Sequence, residues 1–153
     1  MTTVKAHRFP VSVHWVGGRL TRAAAPEKPE LQVATPPEFR DGIAGVWSPE
    51  ELLVTATASC YAVTLVSVAE QRSVPLRRLD VRGVGHVTRR DDGRFGFVAI
   101  ELAVEIDTDP GFEAAAEKAA ELAERYCLVR MALEVPVHVE AEIRVAEPLV
   151  ATA

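Results

Sequence analysis

The longest apolar stretch of the chain covers residues 52–69, which are all uncharged, and it directly follows Ser48-Pro49-Glu50-Glu51. A serine with a glutamate three residues later predicts a capping box, and a proline suits the first position of a helix. The pattern therefore predicts a helix over residues 48–71 with Cys60 near its middle. Because apolar residues occur nearly all round this helix, we expect most of its surface to be covered.

A membrane span is the alternative interpretation of this helix, since about 18 apolar residues can cross a bilayer core. Hydroxyl side chains make the segment only moderately hydrophobic; they are Thr55, Thr57, Ser59, Thr64 and Ser67. Its flanks, a capping motif before and a strand-like segment after, are typical of a globular protein. We therefore expect a buried helix and no membrane partner.

Strands are predicted on both sides of the helix, where apolar and polar residues alternate. A turn at Gly17-Gly18 separates the first two, and Asp91-Asp92-Gly93 predicts a tight turn inside a long hairpin. The predicted strands cover residues 4–16, a short stretch from Arg19, 31–35, 79–90, 94–107 and 137–145.

A second helix is predicted from Asp109-Pro110, a capping residue followed by proline, through an alanine- and glutamate-rich stretch to Cys127. A further short helical piece precedes Pro136, and we expect residues 146–153 to form a loose tail. The order βββ, α, ββ, α, (α), β predicts an α+β fold with antiparallel sheet. A length of 153 residues fits a single domain over 1–153.

Composition is that of a globular protein, with 48% hydrophobic and 25% charged residues. The net charge of -5 argues against nucleic acid as a partner, because phosphate binding needs concentrated lysine and arginine. Arginines cluster over residues 72–94, but aspartates interrupt them, which favours a solvated strand face. The N-terminal residues lack the apolar core of a signal peptide, so we expect a cytoplasmic protein.

The candidate chemistry is that of the two cysteines. In a reducing compartment, Cys60 and Cys127 are either inert buried residues or a working redox pair. Cys60 lies too far into its helix for the helix dipole to stabilise a thiolate, so a cation from elsewhere is required. Arg19, which follows two glycines, is the candidate. The four histidines lack the spacing of a metal site, and we expect no bound metal or cofactor.

The stretch SPEELLVTATASC resembles the helix motif of the OsmC and organic hydroperoxide resistance (Ohr) superfamily. The Gly17-Gly18-Arg19 sequence, the second cysteine at a helix end and the element order agree with this resemblance. It implies an OsmC-like fold, with antiparallel sheets wrapped around central apolar helices in an intertwined homodimer.

The same resemblance implies an antioxidant enzyme that reduces organic hydroperoxides. Cys60 would be the peroxidatic cysteine, forming a sulfenic acid, and Cys127 the resolving cysteine. Arg19 would stabilise the thiolate and Glu50 would hold that arginine, with Arg22 and Glu51 as the alternatives. The reductant would be a small dithiol or a dihydrolipoyl group.

Helix geometry adds a constraint of its own on Glu50 and Cys60. They are ten residues apart, which is about 15 Å along one helix, so one Glu50 cannot easily serve the Cys60 of its own chain. An antiparallel second copy of the helix would bring them together, which predicts a symmetric dimer with two composite sites.

This chain also departs from the family pattern. Pro-x-Ser commonly follows the second cysteine in the family, whereas Leu128-Val129-Arg130 follows Cys127 here. The segment 26–46 is also longer than in compact hydroperoxide reductases. The alternative function is therefore a non-peroxidatic protein of the same fold, which binds a small apolar or electrophilic ligand in the dimer-interface cavity.

Overall fold

The computed structural model describes residues 6–147, and the structure of residues 1–5 and 148–153 lies outside this description. Over residues 6–147 the element order is the one that the sequence predicts, and it confirms a mixed α+β fold. The elements are β1 (Ser12–Gly17), β2 (Leu20–Ala24), β3 (Leu31–Ala34), α1 (Pro49–Gln71), β4 (Leu76–Arg89), β5 (Phe95–Thr108), α2 (Glu113–Tyr126), α3 (Leu128–Ala132) and β6 (Val137–Val145).

Two compact units make up the chain, Met1–Leu52 and Leu53–Ala153. The single domain over residues 1–153 stays a prediction. So does the loose tail, of which residues 148–153 lie outside the described part. Within that tail, the Ala146 amide donates a hydrogen bond to the Thr108 carbonyl over 2.8 Å, which extends the pairing beyond β6.

The first unit contains a three-stranded antiparallel sheet in the order β1-β2-β3. Strand β1 begins at Ser12, later than the predicted strand over 4–16, of which residues 4 and 5 lie outside the described part of the chain. Gly17 and Gly18 form the predicted turn, with φ of 152° and 53°, a backbone region that favours glycine.

The start of α1 confirms the predicted capping box. The Ser48 amide donates to Glu51 Oε2 over 2.8 Å, and the Glu51 amide donates to Ser48 Oγ over 3.1 Å. Two amides that would otherwise lack a partner at the helix start are satisfied in this way.

The second unit contains a three-stranded sheet in the order β4-β5-β6. Strands β4 and β5 form the predicted antiparallel hairpin, and Gly93 supplies its positive φ of 82°. The expectation of purely antiparallel sheet is wrong for β6, which pairs with β5 in parallel. The reason is the crossover through α2 and α3, which returns the chain to the starting end of β5 before β6 begins.

Helix α1 packs one side against this sheet. Tyr61 and Leu65 are buried in the core with Ile100, and Val54 lies close to Gly83 and Gly85 of β4. Along the opposite side Val63 is 66% exposed and Val66 39% exposed, so the described part of the second unit covers one side of α1, whereas the sequence predicts that most of its surface is covered. By length and composition alone α1 could also cross a membrane.

Helix α2 begins later than predicted. Its first residue is Glu113, and Phe112 precedes it without a side-chain capping bond. Asp109 does not cap the helix because its carboxylate binds the Arg77 guanidinium through two hydrogen bonds of 2.7 and 2.6 Å. Gly111, with φ of 88°, forms part of the turn between β5 and α2.

Candidate active site

The structure brings the two cysteines together within the second unit. Cys60 lies in the middle of α1 and is partly buried, and Cys127 is fully buried between α2 and α3. Both are free thiols, and their side chains share a hydrogen bond. The two thiols are therefore neighbours in the second unit.

The break between α2 and α3 creates the surroundings of these thiols. Helix α2 ends at Tyr126, Cys127 adopts an extended conformation with φ of -65° and ψ of 109°, and a new helix begins at Leu128. The first amides of a helix have no partner within it. Here the amides of Leu128 and Val129 bind the Cys60 sulfur.

These donors determine the acidity of Cys60. Burial alone would raise the pKa of the Cys60 thiol, but hydrogen bonds outweigh it and hold the pKa below its ordinary value. The donors are the Val129 amide, the Cys127 thiol, the Leu128 amide and the Thr64 hydroxyl. Hydrogen bonds of this kind favour the charged form of a thiol and so increase the fraction present as the reactive thiolate near neutral pH.

The pKa of the second thiol, Cys127, is shifted in the opposite direction. Burial raises the pKa of Cys127, and the neighbouring Cys60 sulfur raises it further, although the amides of Arg130 and Val129 partly oppose this. As pH rises, Cys60 therefore loses its proton before Cys127 does. At a pH between the two pKa values, the site holds one thiolate beside one protonated thiol.

Three further side chains lie around the pair in the second unit. The buried Tyr61 hydroxyl donates to the Ala120 carbonyl over 3.2 Å, and burial together with the Glu124 carboxylate raises the pKa of Tyr61. Glu124 also accepts a hydrogen bond from Arg130 over 2.9 Å. The hydrogen bond between Glu124 and Arg130 connects the end of α2 to α3.

The predicted residues Arg19 and Glu50 belong to the first unit. Arg19 is exposed and forms no ion pair with any residue from 6 to 147. Oε2 of Glu50 is buried, and within the same range of residues it has no hydrogen-bond partner. The ion pair that the resemblance implies is thus not formed in the single chain, and the roles of both residues stay predictions.

The alternatives to Arg19 and Glu50 have partners of their own. Arg22 lies 3.6 Å from Glu30 in an exposed ion pair. Glu51 is engaged in the capping box of α1. These contacts favour Arg19 and Glu50 over Arg22 and Glu51 as the residues that remain available for a site.

The backbone amides of α3 are not predicted from the sequence. A charged side chain is expected beside Cys60, whereas the described part of the chain offers main-chain donors. A signal was present, because a helix that ends at Cys127 and restarts directly afterwards must leave the first amides of the new helix without internal partners.

The candidate site is therefore a thiol made acidic by backbone amides, beside a second buried thiol, on the core helix of an α+β fold. No group of three or more metal-ligating side chains within residues 6–147 is arranged to hold a metal ion. The family model described as OsmC-like protein matches residues 42–142. The chain belongs to this family, which confirms the resemblance to the OsmC/Ohr superfamily.

Individual proteins agree with this assignment. The uncharacterized protein YmaD of Bacillus subtilis (strain 168) is 25% identical over 145 residues, which cover 91% of this chain and 95% of that protein. An OsmC-like protein of unknown function from Vibrio cholerae O1 biovar eltor str. N16961 has a similar structure, with a TM-score of 0.80 and 17% identity, over 90% of this chain and 100% of that one.

An organic hydroperoxide resistance protein from Elizabethkingia anophelis, crystallised with thiocyanate bound, is also similar in structure. Its TM-score is 0.75 at 18% identity, over 94% of this chain and 100% of that one. Identities this low show a shared fold alone.

Proposed function

We propose that this protein is a thiol-dependent peroxidase that reduces organic hydroperoxides. The observation that supports this most strongly is the contact between Cys60, whose pKa is lowered, and the buried Cys127. A nucleophilic thiolate beside a second thiol provides the groups that a two-cysteine peroxidase cycle uses.

In the first step, the Cys60 thiolate attacks one oxygen of the hydroperoxide. An S–O bond forms while the O–O bond breaks, and the alkoxide leaves as an alcohol after taking up a proton. Cys60 is thereby oxidised to a sulfenic acid and the hydroperoxide is reduced by two electrons. The hydrogen bonds from Leu128 and Val129 keep the thiolate available for this attack.

In the second step, the Cys127 sulfur attacks the Cys60 sulfenic acid. A disulfide forms, and the hydroxyl of the sulfenic acid leaves as water together with the thiol proton of Cys127. The fully buried position of Cys127 protects its thiol from direct oxidation by peroxide in solution. An external dithiol, either a small molecule or a dihydrolipoyl group, then reduces the disulfide and is itself oxidised. This cycle needs no bound cofactor, and a reducing cytoplasm would suit it.

We further propose a homodimer in which two chains build each site. The exposed apolar side of α1, with Val63 and Val66, supports a second chain as its cover, since exposed apolar surface of this kind marks interaction sites. The unpaired Oε2 of Glu50 supports an arginine partner, because a buried carboxylate oxygen without a hydrogen bond is costly. Arg19 would stabilise the thiolate and orient the peroxide, and Glu50 would hold that arginine.

The test is consumption of cumene hydroperoxide with dihydrolipoamide as the reductant. Wild type should turn over, Cys60→Ser should lose activity by at least about a hundredfold, and Cys127→Ser should accumulate a sulfenic acid that dimedone labels. Consumption of peroxide by Cys60→Ser at the wild-type rate would overturn the proposal. Failure of wild type to oxidise Cys60 faster than an unfolded reference peptide would favour the non-peroxidatic ligand-binding alternative.

A further inference from the structure

Arg130 and Glu124 connect the two helices that flank Cys127. Arg130 Nη2 lies 2.9 Å from Glu124 Oε1, and the two side chains are 35% and 34% exposed. Glu124 is in the last turn of α2, whereas Arg130 is in α3. The ion pair therefore spans the break in the backbone at Cys127.

The backbone that this ion pair holds is the part of the chain that contacts both sulfur atoms. Amides of Leu128 and Val129 bind Cys60, and those of Arg130 and Val129 bind Cys127. Helix α3 has only five residues, and a helix of that length is not stable by itself in water. Its position must come from contacts with the rest of the second unit.

Within residues 6–147, the side-chain hydrogen bond of Arg130 is the one that Nη2 donates to Glu124. Nε of the guanidinium is buried and, in the part of the chain from 6 to 147, has no hydrogen-bond partner. Peptide hydrogen bonds hold the turn internally, from the Met131 amide to the Cys127 carbonyl at 3.1 Å and from the Leu133 amide to the Arg130 carbonyl at 3.1 Å. These bonds keep the shape of α3 but do not fix it against α2.

We infer that Arg130 is a positioning residue, which through Glu124 holds the α3 backbone against Cys60 and Cys127. The inference rests on the proposed two-cysteine chemistry, but it concerns geometry that exists before any peroxide binds. It also gives a physical role to the arginine at which this sequence departs from the family pattern.

The experiment measures the pH dependence of iodoacetamide alkylation at Cys60 in the full-length reduced protein, with peptide mass spectrometry to separate the two cysteines. The variants are Arg130→Gln and Glu124→Gln. We expect each to raise the midpoint pH by about 0.5, with alkylation about threefold slower at pH 7, because the backbone donors move away from the sulfur.

The two variants distinguish position from charge. A charge effect alone would raise the midpoint in Arg130→Gln, which leaves an unpaired carboxylate, and lower it in Glu124→Gln, which leaves an unpaired cation. A positioning role predicts that the alkylation midpoint rises in both Arg130→Gln and Glu124→Gln. The inference is overturned if the midpoint fails to rise in even one of the two variants.

Matched controls are available on the same helix. Lys118 and Glu121 form an exposed ion pair of 2.6 Å on α2, so Lys118→Gln and Glu121→Gln make the same charge changes away from α3. These controls should leave the midpoint within about 0.1 of wild type. Equal shifts in controls and test variants overturn the inference.

Folding and the proposed function are checked separately. Far-UV circular dichroism confirms that each variant is folded, which we expect because ion pairs this exposed contribute little stability. Arg130→Lys can keep one contact to Glu124 and should fall between wild type and Arg130→Gln; a midpoint above that of Arg130→Gln overturns the inference. Because alkylation needs no peroxide, a failed peroxidase assay with raised midpoints would reject the proposed function and leave the role of Arg130 intact.

Discussion

The side chains of Cys60 and Cys127 share a hydrogen bond that connects the middle of α1 to the junction between α2 and α3. The bond favours the charged form of the first sulfur and the protonated form of the second, so the pKa values of the two thiols separate. This asymmetry supports the proposed roles of Cys60 as the nucleophile and Cys127 as the resolving thiol.

The first prediction concerns the order in which the thiols react. In the folded, reduced protein at pH 7, iodoacetamide should modify Cys60 at least about tenfold faster than Cys127. Cys60 combines a lowered pKa with partial exposure, whereas Cys127 has a raised pKa and is 0% exposed. The Cys60 rate should fall only when pH drops below its lowered pKa. In urea the rates should become similar, and faster modification of Cys127 in the folded protein would contradict the assignment.

The second prediction removes one backbone donor. Leu128→Pro deletes the amide that binds Cys60, yet proline is tolerated at the first position of a helix and after an extended residue such as Cys127. The midpoint of Cys60 alkylation should rise by about 0.3–0.5. Leu128→Ala, which keeps the amide, is the control and should match wild type. Equal midpoints for the two variants would show that this amide does not determine the acidity of Cys60.

The third prediction tests the composite site by mixing inactive variants. Equal amounts of Cys60→Ser and Glu50→Gln, unfolded and refolded together, should recover about a quarter of wild-type peroxidase activity. Half of the dimers would then be mixed, and each would contain one site with an intact Cys60 and an intact Glu50 from different chains. If both residues of a site came from one chain, no activity would return. Light scattering should show a dimer at the same concentration.

The fourth prediction concerns the packing of α1 on β4. A Cβ atom at Gly85 would lie 2.6 Å from Phe97 Cε1 and 2.7 Å from Val54 Cγ2, closer than these stiff side chains can accept. Gly85→Ala should therefore lower the free energy of unfolding by about 1–3 kcal/mol in urea titrations. Val84→Ala is the control on the opposite face, where Val84 is 54% exposed, and should change it by less than about 0.5 kcal/mol.

Local patterns predicted most of the elements. The capping box at Ser48 and Glu51 and the turn at Gly93 depend on neighbouring residues, and both were confirmed. The direction of β6 could not be predicted in this way, because alternation in a strand shows which residues share a face but not which strand lies beside it. Asp109 illustrates the same limit, since its carboxylate bonds to Arg77, a residue from a different part of the chain.

The site was only partly predictable for a related reason. The two cysteines are candidates from the sequence because thiols are reactive side chains, and the structure brings them together. The donors that lower the pKa of Cys60 are peptide groups of Leu128 and Val129, and every residue except proline carries such a group. Residue types alone therefore predict Arg19, a charged side chain, as the group that stabilises the Cys60 thiolate, and they do not indicate α3.

The use of main-chain donors at Leu128 and Val129 also has an evolutionary consequence. Any side chain other than proline at these two positions keeps the amide, so mutations there can accumulate without removing the hydrogen bonds to Cys60. Substitutions that avoid proline would therefore change the side chains around the thiols and leave the acidity of Cys60 in place, whereas the proline that commonly follows the second cysteine in the family lacks the donor that Leu128 provides here.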